Sequence, residues 1–224
     1  MNRNDLKIDI VSDIVCPWCA IGYKKLAEAM TQLSKEIRFE VNWKPYELHP
    51  EIPKEGFDKK EYYKIKFGES SKSNDRFSFI SNEGKKVGID FNFNKSKNLP
   101  NTFLAHRLLW LSRSKNIQNV LAEALFYAYF TDGRDIGNED ELTEIASENG
   151  LNKEEVWDFF QTDLGRNEVL REEKRAKEMN IFSVPTYIFD KKYLLVGGQE
   201  PDTFKKYMKR VIEVEIESSN TSNA

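Results

Sequence analysis

Residues 7–12, KIDIVS, alternate apolar and polar positions, which predicts a half-buried strand. The next stretch, CPWCAIGYKKLAEAMTQLSKE, changes period: Ile21, Leu26, Ala29, Met30 and Leu33 fall on one helical stripe, and Pro17 is tolerated in the first turn. RFEVNWKPY returns to alternation through Phe39, Val41 and Trp43 and reads as a second strand. Strand, helix, strand in this order is a βαβ unit with a right-handed crossover. From about Glu51 to Gly165 almost nothing reads as a strand. TFLAHRLLWLSRS and NVLAEALFYAYF are helical and apolar on more than one face, so the aromatics Trp110, Phe126, Tyr127, Tyr129 and Phe130 are expected in a core. Asn138 with Glu141 and Asn152 with Glu155 are box-like starts for two further helices, the first ended by Gly150. The polar FGESSKSNDRFSFISNEGKK reads as a mobile loop, and a charged helix is expected from about Asp163 to Met179.

Strands return near the end. PTYIFDKKYLLVGG is two short runs split by DKK, a hairpin. EPDTFKKYMKRVIEVEIE puts Phe204, Met208, Val211 and Glu215 on one stripe of a last helix, and SSNTSNA is expected to be a disordered tail. The order is βαβ, a helical block, a helix, then ββα. It implies an α/β fold whose sheet is assembled from both ends of the chain, residues 1–50 and 166–217, around an all-helical insertion at 51–165, with 218–224 as the tail.

Composition changes this picture little. The 224 residues suffice for a sizeable core, and 39% hydrophobic with 32% charged residues suits a globular protein. A net charge of −3 offers no basic field for nucleic acid, and no apolar run is long enough for a membrane span. MNRNDLKIDIVSD passes into the first strand without an apolar leader, so a cytoplasmic location is expected.

The cysteines change it most. The chain has two, Cys16 and Cys19, where a strand gives way to a helix. In a reducing compartment a close pair is more often catalytic or metal-binding than structural. The positive end of a helix dipole favours an anion, and a thiolate at Cys16 is that anion. Cys19 lies one turn on, on the same face, where it can attack a mixed disulfide formed at Cys16. Pro17 stiffens the turn and Trp18 brings no charge. A zinc site would need two more ligands, with only His49 and His106 available as histidines, and two inert core thiols are the other alternative. Pro185, in SVPTYIF, either simply begins a strand or forms a cis bond that presents the Val184 backbone to the thiols.

Together SDIVCPWCAIG, WKPYELHP, NTFLAHRLL, VPTYIF and GGQEPDTF, in this order over roughly residues 7–213, resemble the FrnE-like branch of the DsbA-type thiol–disulfide oxidoreductases. The resemblance implies a thioredoxin-like fold with an inserted helical domain. It implies Cys16 as attacking thiol, Cys19 as resolving thiol, Pro185 as a cis-proline facing them and Asp13 as the acidic residue before the motif. Pro17, Trp18 and Val184 would lie against a disulfide- or dithiol-containing protein or small molecule, glutathione included. No metal or organic cofactor is implied. The chain departs from the pattern in lacking the second cysteine pair of some relatives, in having Ala20 where an aromatic often follows the motif, and in showing no export signal, so a periplasmic folding role is not carried over. Two rivals stand beside it: a glutathione-dependent isomerase or transferase of the kappa-class and hydroxychromene-carboxylate type, which has serine where Cys16 stands, and a non-enzymatic peptide-binding module or holdase.

Asp13 is read either as acceptor of the Cys19 proton or as a cap residue. His106 is read either as facing a cleft, where it could meet substrate, or as a satisfied interface histidine. Arg107 is expected to snorkel to solvent or to pair with a carboxylate, and His49 to sit in a loop.

Overall fold

The computed structural model describes residues 5–67 and 72–221. Strands β1 (Asp5–Ser12) and β2 (Arg38–Pro45) flank helix α1 (Pro17–Leu33) and run parallel, Asp5 opposite Arg38 and Ser12 opposite Pro45. From the other end of the chain, β5 (Thr186–Phe189) and β6 (Tyr193–Val196) form the expected hairpin, and β5 pairs antiparallel with β1. The sheet order β2-β1-β5-β6 places β1 in the interior, and the alternation in KIDIVS marks one fully buried face, Ile8 and Ile10, and one partly covered face, Lys7 and Asp9. Leu6, Ile8 and Ile10 pack with α1 and with Phe204 and Met208 of α9 (Pro201–Thr221), while Val11 packs with Ala176, Ile181 and Ile188 under α8 (Arg166–Glu178). Helices thus cover both faces of a mixed sheet.

Between β2 and α8 lie β3 (Phe57–Asp58), α2 (Lys59–Phe67), α3 (Lys72–Lys86), β4 (Asn98–Leu99), α4 (Phe103–Ser112), α5 (Gln118–Tyr127), α6 (Glu139–Glu148) and α7 (Lys153–Phe160). The two-residue strands β3 and β4 pair only with each other, so none of this segment enters the main sheet. Asn138 and Asn152 cap α6 and α7, each accepting from the backbone N–H three residues on, and Gly150 lies beyond α6 at φ +94°. Trp43 joins the layers. Its backbone N–H donates to Gln118 Oε1 at 2.9 Å, its indole to Asn119 Oδ1 at 2.8 Å, and its ring lies 4.8 Å from Tyr23 and 5.7 Å from Phe126. One apolar cluster runs without a break from β1 through α1 into α4, α5, α6 and α7. No helix among the described residues is long and apolar enough to cross a membrane.

Several expectations are corrected. The segment read as a mobile loop is helix α3 from Lys72 on, because Ile80 is buried and Gly84 closes on the ring of Phe91; Gly68–Ser71 lie outside the described residues. α9 continues to Thr221, so Ser218–Thr221 of the polar tail are helical, and 222–224 lie outside the described residues. Phe126, Tyr129 and Phe130 are core residues, but Tyr127 points outward and is 59% exposed. Glu215 leaves the apolar stripe to accept from Lys192 Nζ and Tyr193 Oη. Arg107 neither snorkels nor pairs with a carboxylate through a hydrogen bond. It is buried and donates to the carbonyls of Thr162 at 2.6 Å and Leu164 at 2.9 Å, which follow the end of α7.

Candidate active site

β1 ends at Ser12 and the chain turns through a hydrogen bond from the Cys16 N–H to the Asp13 carbonyl, 3.1 Å. Cys16 is the N-cap of α1, in extended backbone (φ −92°, ψ 110°), and Pro17 follows as the first helical residue. Its side chain makes no capping hydrogen bond to the helix. Instead the thiol turns across the sheet and donates to the Val184 carbonyl at 3.7 Å. The Val184–Pro185 peptide is cis. That loop is pinned to β6 by the Gly197 N–H, which donates to the Pro185 carbonyl at 2.8 Å. Both cysteines are free thiols. Cys16 retains 5% exposure and Cys19 none, so Cys16 is the more accessible thiol and the mouth is narrow.

The two thiols differ in their surroundings. Burial pushes the Cys19 thiol well above its ordinary pKa, and the neighbouring Cys16 adds to this; the Ser12 hydroxyl and the Asp13 backbone act the other way. Cys19 is therefore a protonated reserve beside a more accessible partner. Around the mouth, the half-buried Trp18 ring sits 6.0 Å from that of Phe79, itself 56% exposed, and Phe182, two residues before Val184, is 72% exposed.

Behind the turn lies a buried polar group that the sequence shows only in part. Asp13 is fully buried; its Oδ2 accepts from the Leu48 N–H at 2.7 Å and its Oδ1 faces His106 Nε2 at 3.4 Å. The approach to His106 falls short of hydrogen-bond geometry but is an ion-pair distance. The Asp13 side chain is thus committed to Leu48 and His106 and is no cap of α1. Burial opposes a charge on His106, yet Asp13, Glu173 and Glu47 together hold its pKa above the ordinary value. Glu173 accepts from the Glu47 N–H at 3.0 Å. Burial and then the Glu173 carboxylate push Glu47 up to about 7. His49, in the loop after β2, meets Tyr62 Oη through Nδ1 at 2.9 Å.

The turn and the cis-proline loop bring together Cys16, Cys19, Pro17, Trp18, Val184 and Pro185. Asp13 and His106 stand behind them, with His106 only 3% exposed and turned toward Asp13. Glu47, Glu173 and Tyr187 were not singled out from the sequence. The tyrosine is fully buried in β5, and its hydroxyl, pressed against Gly22 of α1, has no hydrogen-bond partner. Its alternation in TYIF signals a strand position and nothing of where the hydroxyl goes. Among the described residues no group of three or more His, Cys, Asp or Glu side chains is arranged to hold a metal ion.

The chain is 28% identical to the uncharacterized protein YwbO of Bacillus subtilis (strain 168) over 200 residues, covering 89% of this chain and 94% of that protein. Its fold is that of the probable DsbA oxidoreductase SCO1869 of Streptomyces coelicolor, with a TM-score of 0.83 at 24% identity over 92% of this chain and 89% of the other. It is also that of the cytosolic disulfide reductase DsbM of Pseudomonas aeruginosa, TM-score 0.66 at 14% identity over 93% and 99%, a protein also solved with GSH. At these identities the two structures speak for the fold alone. The model of the DSBA-like thioredoxin domain matches residues 7–209, from β1 into α9, which takes in the whole sheet, the Cys16–Cys19 turn and the helices between, and the chain belongs to that family.

Proposed function

We propose that this protein is a thiol–disulfide oxidoreductase of the FrnE-like branch, with Cys16 as nucleophile and Cys19 as resolving thiol. One observation carries the reading. At the N-terminus of a single helix, a slightly accessible thiol faces a backbone carbonyl while its neighbour one turn on is sealed and held protonated. The Cys16 thiolate attacks a substrate disulfide, forming a mixed disulfide and releasing one substrate thiol. Cys19 then gives up its proton and attacks the Cys16 sulfur, so that the second substrate thiol leaves and the enzyme carries a Cys16–Cys19 disulfide. Run backwards, the same pair oxidises a dithiol. Val184 and Pro185 form one wall for the substrate, with Pro17 and Trp18 on the other side. Asp13 accepts the Cys19 proton with His106 behind it, and His106 acts through Asp13 and does not touch substrate. The substrates are protein or small-molecule disulfides, glutathione disulfide among them, and the setting is cytoplasmic; the neighbour DsbM is named as cytosolic and was solved with GSH.

The test uses glutathione disulfide and mass measurement. Cys19→Ser should accumulate one glutathione on Cys16, the wild type should pass on to the internal disulfide, and Cys16→Ser should take up none. A redox titration of the wild type in glutathione buffers gives the potential that decides direction. Activity kept by the double Cys→Ser variant would point to a binding module or holdase, and glutathione-dependent isomerisation without disulfide turnover to the isomerase class.

A further inference from the structure

Tyr187 follows Pro185 by two residues and pairs with Ile10 of β1 on one side and Leu195 of β6 on the other. Its ring packs edge-on against Phe204 at 4.8 Å. The side chain is fully buried and its hydroxyl has no hydrogen-bond partner. A phenylalanine would fill the same space without stranding a polar group. The hydroxyl is admitted by Gly22: a Cβ there would stand 2.4 Å from Tyr187 Oη and 3.2 Å from Pro185 Cγ. Gly22 is three residues after Cys19, the spacing that stacks positions on one helix face. The hydroxyl therefore lies between the cis-proline loop and α1, one helical turn beyond Cys19. Burial first, and then charge on Cys19 and on Cys16, push the phenol well above its ordinary pKa. It keeps its proton at any working pH, so it is a donor and no base. The sulfurs are the nearby groups that gain negative charge during turnover.

We propose that the Tyr187 hydroxyl is the hydrogen-bond donor that steadies the Cys19 thiolate while it attacks the mixed disulfide. The inference rests on the oxidoreductase reading above. In the step concerned, the Cys19 S–H bond breaks and a Cys19–Cys16 S–S bond forms. The bond between Cys16 and the substrate sulfur breaks, and the departing sulfur takes up a proton equivalent to the one Cys19 released. The Cys16–Cys19 pair is oxidised, the substrate is reduced, and Tyr187 ends with the proton it began with.

Reaction of the reduced protein with one equivalent of 5,5′-dithiobis(2-nitrobenzoate) separates the stages, since attack by Cys16 and resolution by Cys19 each release one thionitrobenzoate. Tyr187→Phe should leave the first release within about twofold of wild type and slow the second about tenfold, equivalent to about 1.4 kcal/mol. The pH midpoint of the second release should move up by about one unit, while the thermal midpoint stays level or rises. Tyr187→Met, which also lacks the hydroxyl, should show the same kinetics and stands in if the phenylalanine variant does not fold. A second release of unchanged rate and pH profile, after a normal first release, overturns the role of Tyr187 and leaves the oxidoreductase reading intact. A wild type whose first release is no faster than that of Cys16→Ser overturns the reading itself.

Discussion

Replacing Glu47 by Gln should stabilise this protein at mildly alkaline pH and do almost nothing at acid pH. Burial, then Glu173, push the Glu47 carboxyl from 4.5 up to about 7, with Asp13 adding to the effect and His106 and Lys177 opposing it. Its Oε2 is buried without a hydrogen-bond partner. The folded state then binds this proton more tightly than the unfolded chain does. Stability from this group is fully present below about 4.5 and is lost as pH rises through about 7, where the folded protein must carry the charge. The difference between 4.5 and about 7 sets an upper bound of about 3.4 kcal/mol, at about 1.36 kcal/mol per pH unit. Glu47 is only half-buried, and water screening reduces this to about 1–2 kcal/mol. A glutamine carries no such charge, so at about pH 8 the variant should unfold about 2–8 °C higher than wild type, from about 2–4 °C per kcal/mol for a chain of this size. Thermal unfolding of both proteins across pH is the assay. His106 contributes in the same sense, since its raised pKa stabilises the folded state at low pH and that share is lost as pH rises through it. Glu47 is the last of the carboxylates that raise it, so the replacement changes this share little. An equal shift at acid and alkaline pH, or a loss of stability at about pH 8, would refute the reasoning.

Arg107→Ala should cost about 1–3 kcal/mol, because it removes the charged donor that holds the carbonyls of Thr162 and Leu164, and Arg107→Lys should restore only part of it; urea unfolding measures both. Gly22→Ala should destabilise by about 1–3 kcal/mol through overlap with Tyr187 Oη, and Tyr187→Phe should recover part of that loss, so that an additive double variant would contradict the contact. Asn138→Ala and Asn152→Ala should each cost about 1 kcal/mol, additively, since each removes one cap from a different helix. Alkylation at neutral pH with peptide mapping should label Cys16 and spare Cys19, which is fully buried and held protonated; preferential labelling of Cys19 would reverse their assignment.

Polar residues account for most of what was misread. α3 contains Lys, Ser, Asn and Asp in its first turns and has no long apolar stripe to announce it. Its support comes from Ile80 in the core and from Gly84 against Phe91, and the glycine contact depends on how the chain folds back after Gly88. Arg107 looks like any surface arginine beside an apolar helix. What keeps it inside is the end of α7, more than fifty residues away, whose carbonyls accept its hydrogen bonds.

Signals that act within a few residues were legible in the chain alone. The period of KIDIVS, the stripe from Ile21 to Leu33, the Asn caps of α6 and α7 and the DKK break between β5 and β6 each depend on backbone geometry over one or two turns. The same range covers the placement of Cys16 at a helix start with Cys19 one turn later. Tertiary structure decided the rest, because the remaining site contacts join distant positions. Val184 reaches Cys16 across 168 residues, and Glu173 reaches Glu47 across 126. Tyr187 meets Gly22 only because β5 pairs with β1 beneath α1. The pattern of apolar and polar positions states which side of a strand is buried, and burial alone does not say which polar atom will face it. That depends on the register of β5 against β1 and on the packing of α4 and α8 behind β2, and these set which acid is buried beside which histidine, and which hydroxyl meets α1 beyond the thiols.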